Sequence, residues 1–304
     1  MSVAEASITR SVVGRAARGE RTRDLLFRVA LLLCMLVAVL FLAALVVDVA
    51  IDGAPILGPD FVTSYPSRIA PESSGVRSAL LGTVYLMGLC ALFIVPVGVA
   101  AAVYLEEYAR PERWYNRLVE VNIQNLASVP SVVYGILGLA FIVRGPIDVW
   151  GLGQGQPTLL AGALTLGLLV LPVVIIVARE AIRAVPSSIR EASLALGATE
   201  WQTTWRQVLP SATAGIATGV ILALSRAIGE TAPLILVGAA AFQRFDPAID
   251  GQFSALPIQI FNNVTEPEAI FRDLAAATIL VLLLLLLVMN SIAVLLRNRY
   301  ETKW

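Results

Sequence analysis

Apolar residues in this chain come in long unbroken blocks, not in helical stripes or strand-like alternation. Val29–Val47, Ser78–Leu105, Val121–Val143, Leu159–Ala178 and Leu274–Leu296 carry no charge, and the last holds six consecutive leucines, Leu282–Leu287. Val208–Gln243 is interrupted only by Arg226 and Glu230. A helix of about 20 residues crosses the roughly 30 Å hydrocarbon core of a bilayer. The pattern therefore predicts an all-α polytopic membrane protein with six transmembrane helices. Transmembrane β-strands would be about 10 residues long and alternate, which these blocks do not. A soluble protein is excluded as well. With 58% hydrophobic and 14% charged residues in 304, too little polar sequence remains to cover six buried helices.

Six spans put both ends of the chain on one side, and the basic residues say which. Arg10, Arg15, Arg18, Arg21, Arg23 and Arg28 precede the first block, and Arg297, Arg299 and Lys303 follow the last. Arg110, Arg113 and Arg117 fall in the second connection, and Arg179, Arg183, Arg190 and Arg206 in the fourth. Against these stand Arg68, Arg77, Arg144, Arg244 and Arg272 in the odd connections. The rule that cytoplasmic loops hold the excess of Lys and Arg makes the first group cytoplasmic. The expectation is a multi-pass membrane protein with both termini cytoplasmic and lipid as its surroundings. Residues 1–25 form a cytoplasmic tail, and residues 26–304 one six-helix domain. The first apolar run is longer than a signal-peptide core and lacks a small-residue cleavage site. The zero net charge carries no information on partners, and nothing points to nucleic acid. Cys34 and Cys90 fall inside spans and read as inert buried thiols; with no histidine in the chain, no metal or redox site follows.

The polar stretch between the fourth and fifth blocks, about residues 183–210, breaks the pattern. It is rich in helix formers and is interrupted at Gly197. Two short helices are expected, about Pro186–Leu196 and Thr199–Val208, with a turn at Gly197. Pro186 before Ser187 and Ser188 suits a helix start, and Pro210 ends the second helix or opens the fifth span. Ala192, Ala195 and Leu196 give a small, smooth face, rimmed by Glu191, Trp201 and Trp205. Such a pair suits docking to a partner protein. It equally suits a solvated amphipathic loop.

Here the chain resembles a known family. Glu191-Ala192-Ser193, Gly197 and Leu209-Pro210 match the cytoplasmic signature of ABC-importer permeases, with Ser193 in place of an alanine and Gln207 in place of an apolar residue. "PSRIAPESSGVRSALLGTVYLM", "GVAAAVYLEEYA", "NIQNLASVPSVVYGILGLA", "LPVVIIVAREAIRAVPSSIREASLALGATEWQT" and "SRAIGETAPLILVGAA" resemble the PstA-type permease of the phosphate ABC importer. The resemblance covers nearly the whole chain beyond the tail, and "RAIGETAPL" is the stretch that favours phosphate. It implies the type I ABC importer permease fold and a place in the bacterial plasma (inner) membrane. The implied partners are a homologous PstC-type permease, two PstB-type ATPase subunits and a periplasmic or lipid-anchored PstS-type phosphate-binding protein. It also implies that Glu191–Leu196 is a coupling helix held by the ATPase, with Glu191, Ala192, Ala195, Gly197 and Trp201 as the contact residues.

The residues agree with that division of labour. A phosphate-cradling Walker A loop needs a lysine after its glycines, and the only lysine is Lys303. The chain itself is therefore expected to be non-catalytic and to hold no cofactor; ATP and Mg belong to the partner ATPase. Arg226 and Glu230, four apart, would share a helix face. A charge at a span's centre costs about 2.5–3.5 kcal/mol on insertion scales, so the pair needs a reason. One is a water-filled path in which the planar guanidinium meets phosphate oxygens. The other is a structural ion pair that locks two helices. Asn122 and Asn125, near the inner end of the third block, are candidates for the same pathway or for helix capping. Gly215, Gly219, Ala223 and Ala227 repeat at the spacing of close helix contact. Glu106, Glu107, Arg110, Glu112 and Arg113 read as a solvated surface turn. A same-architecture permease for another oxyanion and a non-transporting membrane scaffold are the rival readings.

Overall fold

The computed structural model describes residues 18–110, 112–145, 156–240 and 242–300. Most of the expected N-terminal tail, with Arg10 and Arg15, lies outside them, as do Lys303 and most of the loop after Arg144. Among the described residues every regular element is helical. Five helices are long and apolar enough to cross a membrane, or six if one bent pair counts as a span.

The chain divides into two units, Met1–Ile51 and Asp52–Trp304. Helix α1 runs Arg18–Gly53. Its side chains from Arg23 to Asp48 are exposed, and Val29–Val47 within them is apolar all round. That suits a helix whose surroundings are lipid tails.

The second unit is built on α2 (Arg77–Val103), α5 (Leu159–Arg183) and α8 (Leu209–Ile228). Helices α2 and α5 run side by side in the same direction. Gly98 meets Val174, and Gly167 meets Phe93. Helix α8 runs opposite to α5, with Gly215 against Ala181 and Gly219 against Val177. Ala223 and Ala227 are buried in the same core. The small-residue repeat therefore faces α5 and lets the two backbones approach. Leu86, Met87, Cys90 and Ile94 of α2 pack with Leu166, Val170 and Val174 of α5 in one core. Helix α11 (Ala269–Tyr300) packs on α8. Two polar contacts pin them, Ser225 Oγ with Asn290 Oδ1 at 2.6 Å and Arg297 Nη1 donating to Thr218 Oγ1 at 3.2 Å.

Two of the expected spans are not single straight helices. The third block is α3 (Trp114–Ala127) followed by α4 (Ser131–Leu137, continued as a wide turn to Val143), bent by 107°. Pro130 explains the break: it pushes Val129 away from helical geometry and lacks an N–H to continue the ladder. The fifth block stops at Ile228. Gly229, Glu230 and Thr231 intervene before α9 (Ala232–Val237), which has proline in its first turn and a left-handed Gly238 (φ 101°) at its end. Proline at a helix start and glycine just past its end are the expected punctuation.

The polar arm also differs from two separate short helices. Helix α6 spans Ser187–Ala195 and Gly197 turns the chain with φ 83°. Helix α7 (Glu200–Thr203) then runs without a break, through a wide π-type turn at Thr204–Val208, into α8. Pro210 does not end it. Proline lacks an N–H and crowds the carbonyl four residues back; the wider turn just before it changes that spacing and lets the helix continue. Helix α10 (Leu256–Thr265) completes the unit at the end opposite the arm.

Candidate functional site

The arm at the Gly197 end is held by local chemistry. Thr199 caps α7: its Oγ1 accepts from the Gln202 N–H, and the Gln202 side chain accepts from the Thr199 N–H. This reciprocal box satisfies two backbone donors that a helix start leaves free. The Ser193 and Thr203 hydroxyls meet at 2.8 Å and tie α6 to α7. Only Gly197 has φ in the left-handed region here, where a Cβ would be strained.

Helix α6 has no buried residue at all. Glu191, Ala192, Ala195 and Gly197 are exposed, and Leu196 is 90% exposed. A groove of about 470 Å³ runs beside α6, lined by Ala192, Ser193, Leu196, Ala198, Arg206 and Gln207 among others. Gln207 is exposed, so its departure from the apolar residue of the signature costs no packing. Trp201 stands apart from this groove. Its ring lies against Trp205 (centroids 5.1 Å apart) in a second, apolar groove formed with Val99, Val103, Tyr104 and Tyr108 of the α2 end.

Charges gather beneath α6. A wide turn, Tyr104–Tyr108, extends α2 and carries Glu106 and Glu107. Glu106 accepts a two-pronged contact from Arg183 (2.9 and 3.0 Å) and lies 3.4 Å from Arg179 Nε. Arg179 also donates to Glu120 of α3 at 3.0 Å. Arg190 of α6 reaches Glu107 at 2.7 Å, and donates to the Val185 and Ile182 carbonyls at 2.7 and 3.0 Å. Glu106 and Glu107 are only 15% and 11% exposed. The expected solvated turn is thus corrected for these two residues, which form the floor of an ion-pair network. They follow a long uncharged block, and Arg179 and Arg183 are spaced i, i+4 at the end of another. That spacing placed charge at helix ends, but it could not name partners more than 50 residues away.

Arg226 sits in the last turn of α8 and Glu230 beyond its end. The two still meet, Nε to Oε1 at 3.6 Å, across a helix end and not along a helix face. That separation exceeds hydrogen-bond length. Arg226 is 55% exposed and Glu230 19%, so Arg226 is not a buried charge in this chain. Asn122 and Asn125 lie on α3, both exposed; Asn122 Nδ2 donates to the Leu118 carbonyl of its own helix. Among the described residues no hydrogen bond joins either asparagine to Arg226 or Glu230. Nor do three His, Cys, Asp or Glu side chains gather there in a way that could hold a metal ion.

The described residues thus form a polytopic helical bundle whose spans are broken at Pro130 and Gly229, with an exposed helix–glycine–helix arm at one end. Residues 94–302 match the family described as binding-protein-dependent transport system inner membrane component, and the chain belongs to that family. It is a permease component of an ABC-type importer, working within a multi-subunit complex. It is 35% identical over 230 residues to the probable ABC transporter permease protein YqgI of Bacillus subtilis, covering 75% of each chain. It is 39% identical to the phosphate transport system permease protein PstA 1 of Mycobacterium tuberculosis, covering 66% of this chain and 64% of that relative. In fold it is similar to a chain of a bacterial alginate ABC transporter, with a TM-score of 0.69 at 19% identity over 95% of this chain and 100% of that one.

Proposed function

We propose that the protein is the PstA-type permease of a type I phosphate importer, with six spans and both termini cytoplasmic. It would form the pore with a homologous PstC-type permease. PstB-type ATPase subunits would bind ATP and Mg and hold α6 through Glu191, Ala192, Ala195 and Leu196, with Gly197 setting the angle of the arm. A PstS-type phosphate-binding protein would deliver substrate from outside. Relatives named as phosphate permeases support the substrate class. The exposed α6, none of whose residues is fully buried, supports the ATPase contact.

Arg226 is the observation that carries the phosphate reading. It is a half-exposed guanidinium at the point where α8 stops, and among the described residues its nearest carboxylate is too far for a hydrogen bond. A planar fork with free donors fits phosphate oxygens. Glu230 would orient the fork and accept the proton of a protonated phosphate, which sulfate lacks. Asn122 and Asn125, exposed on α3, would line the inner mouth.

Uptake by the reconstituted complex tests this, counted per assembled complex. Arg226→Lys keeps charge but loses the fork, and uptake should fall strongly with assembly intact. Arg226→Met should be worse. The double variant Arg226→Met with Glu230→Gln should assemble yet stay inactive. If the pair were only structural, that neutral replacement would restore transport, and near-normal uptake by it would overturn Arg226 as a phosphate ligand. Excess sulfate or molybdate should leave uptake unaffected; competition by either would favour another oxyanion.

A further inference from the structure

The ion pairs under α6 have a role beyond holding a surface turn together. Helix α6 buries none of its residues, and only the partly buried Ile189 packs on the core that α2, α5 and α8 share. Its attachments are the short Ala184–Pro186 link to α5, Ile189 at the edge of the core, the Ser193–Thr203 hydroxyl contact and Arg190. A short link passes translation but leaves rotation soft. Arg190 removes that freedom. It bonds the Ile182 and Val185 carbonyls at the end of α5, and Glu107 at the end of α2, from its one guanidinium. The adjacent Glu106 takes Arg183 and Arg179 of α5, and Arg179 continues to Glu120 of α3. Glu106 and Glu107 are adjacent on one turn of backbone, so the Arg190–Glu107 pair and the Arg183–Glu106–Arg179–Glu120 chain bring four helices to one ion-paired site. The carboxylates at its centre are mostly shielded from water, so salt screens them less than it would surface pairs.

We infer that this network is the rigid link that passes displacement of α6 to α2, α3 and α5 together, with Arg190 as its positioning residue. The inference rests on α6 being the ATPase contact. The carboxylates Glu106, Glu107 and Glu120, with the exposed Glu180 beside Arg183, face the three guanidinium groups of Arg179, Arg183 and Arg190. Arg190 makes the only charge contact from α6 to the spans among the described residues.

The test uses the full complex in liposomes, with phosphate uptake per ATP hydrolysed as the readout and co-purified ATPase as the assembly control. Arg190→Gln and Glu107→Gln should each lower uptake per ATP about tenfold, within the usual range of coupling between sites, with the ATPase still bound. The double variant should be no worse than the poorer single one, because the two act as a unit. Normal coupling in both single variants, or strictly additive losses, would overturn the link. Should a single variant fail to assemble because it leaves a shielded charge unpaired, the neutral double variant decides: uncoupled hydrolysis supports the link, and normal uptake per ATP overturns it. Ala192→Trp separates this from the underlying reading. If the ATPase stays bound to that variant, α6 is not its contact. If the ATPase is lost there while the Arg190 and Glu107 variants couple normally, only the link fails.

Discussion

The two ends of α2 face different tasks. At the Arg77 end the connections are stapled. Arg77 grips Asp246 through Nε and Nη2 at 2.9 and 2.8 Å, Tyr65 Oη donates to the same carboxylate, and Arg68 pairs with Glu266 at 2.8 Å. Beneath them the backbone is packed close. Gln259 donates to the Gly75 carbonyl, the Leu256 N–H donates to Thr83, and the Phe253 ring is fully buried against Gly162. At the Tyr108 end more charges gather, but they lie under α6 and not across it. Of the helix above them only Ile189 reaches the core. One end spends its polar groups on closing loops over a core, and the other on holding up an exposed arm. Ion pairs alone do not distinguish a lid from a lever; what distinguishes them is whether the element they hold also has a core of its own.

Topology gives the sharpest way to break this comparison. In a background without Cys34 and Cys90, cysteines at the exposed Ser73 and Ser188 should react oppositely with an impermeant thiol reagent in intact cells. Ser73→Cys should label fully and Ser188→Cys only after lysis. Labelling of both from outside would put the two ends on one side and end the six-span reading.

Packing comes next. A Cβ at Gly82 would run into the Ser254 carbonyl. Gly82→Val should destabilise the chain by about 1–3 kcal/mol or more, as overpacking does, seen as a lower unfolding temperature in detergent. Gly197→Val meets open space, so its penalty is the left-handed φ alone, about 1–2 kcal/mol. Because only Ile189 of α6 packs on the core, that strain should be relieved by displacing the arm. Unfolding temperature should barely change while ATPase association falls. Equal losses of thermal stability in the two variants would show the arm to be packed as tightly as the lid.

The smallest effect concerns acid. Hydrogen bonds from Arg77 hold the Asp246 carboxyl below its ordinary value. A depressed carboxylate contributes stability that is present above the unfolded-state value and is lost as pH falls through the folded one. The pair is exposed, so the contribution is small. The unfolding temperatures of the wild type and Asp246→Asn should differ slightly near neutral pH and converge in acid below the usual carboxylate range. A difference that grew in acid would contradict the ion pair.

Block length alone settled the class of this protein. A chain with that much uncharged apolar sequence has to satisfy its backbone within helices in a membrane, and Gly197 between two runs of helix formers announced the arm. Gly215, Gly219, Ala223 and Ala227 announced a close helix contact, although the partner, α5, could not be read from spacing. Tertiary structure decided the rest. Whether Val121–Val143 is straight depends on what lies beyond Pro130, and whether Pro210 stops a helix depends on the wide turn before it. Arg226 and Glu230 have the spacing of a helix face, yet α8 ends between them, and only the fold leaves Arg226 open. Glu106 and Glu107 look like solvated charges because their partners, Arg183 and Arg190, are more than 75 residues away. Hydrophobic period is a local property written in every stretch of chain, whereas a charge is neutralised by whatever the fold brings beside it.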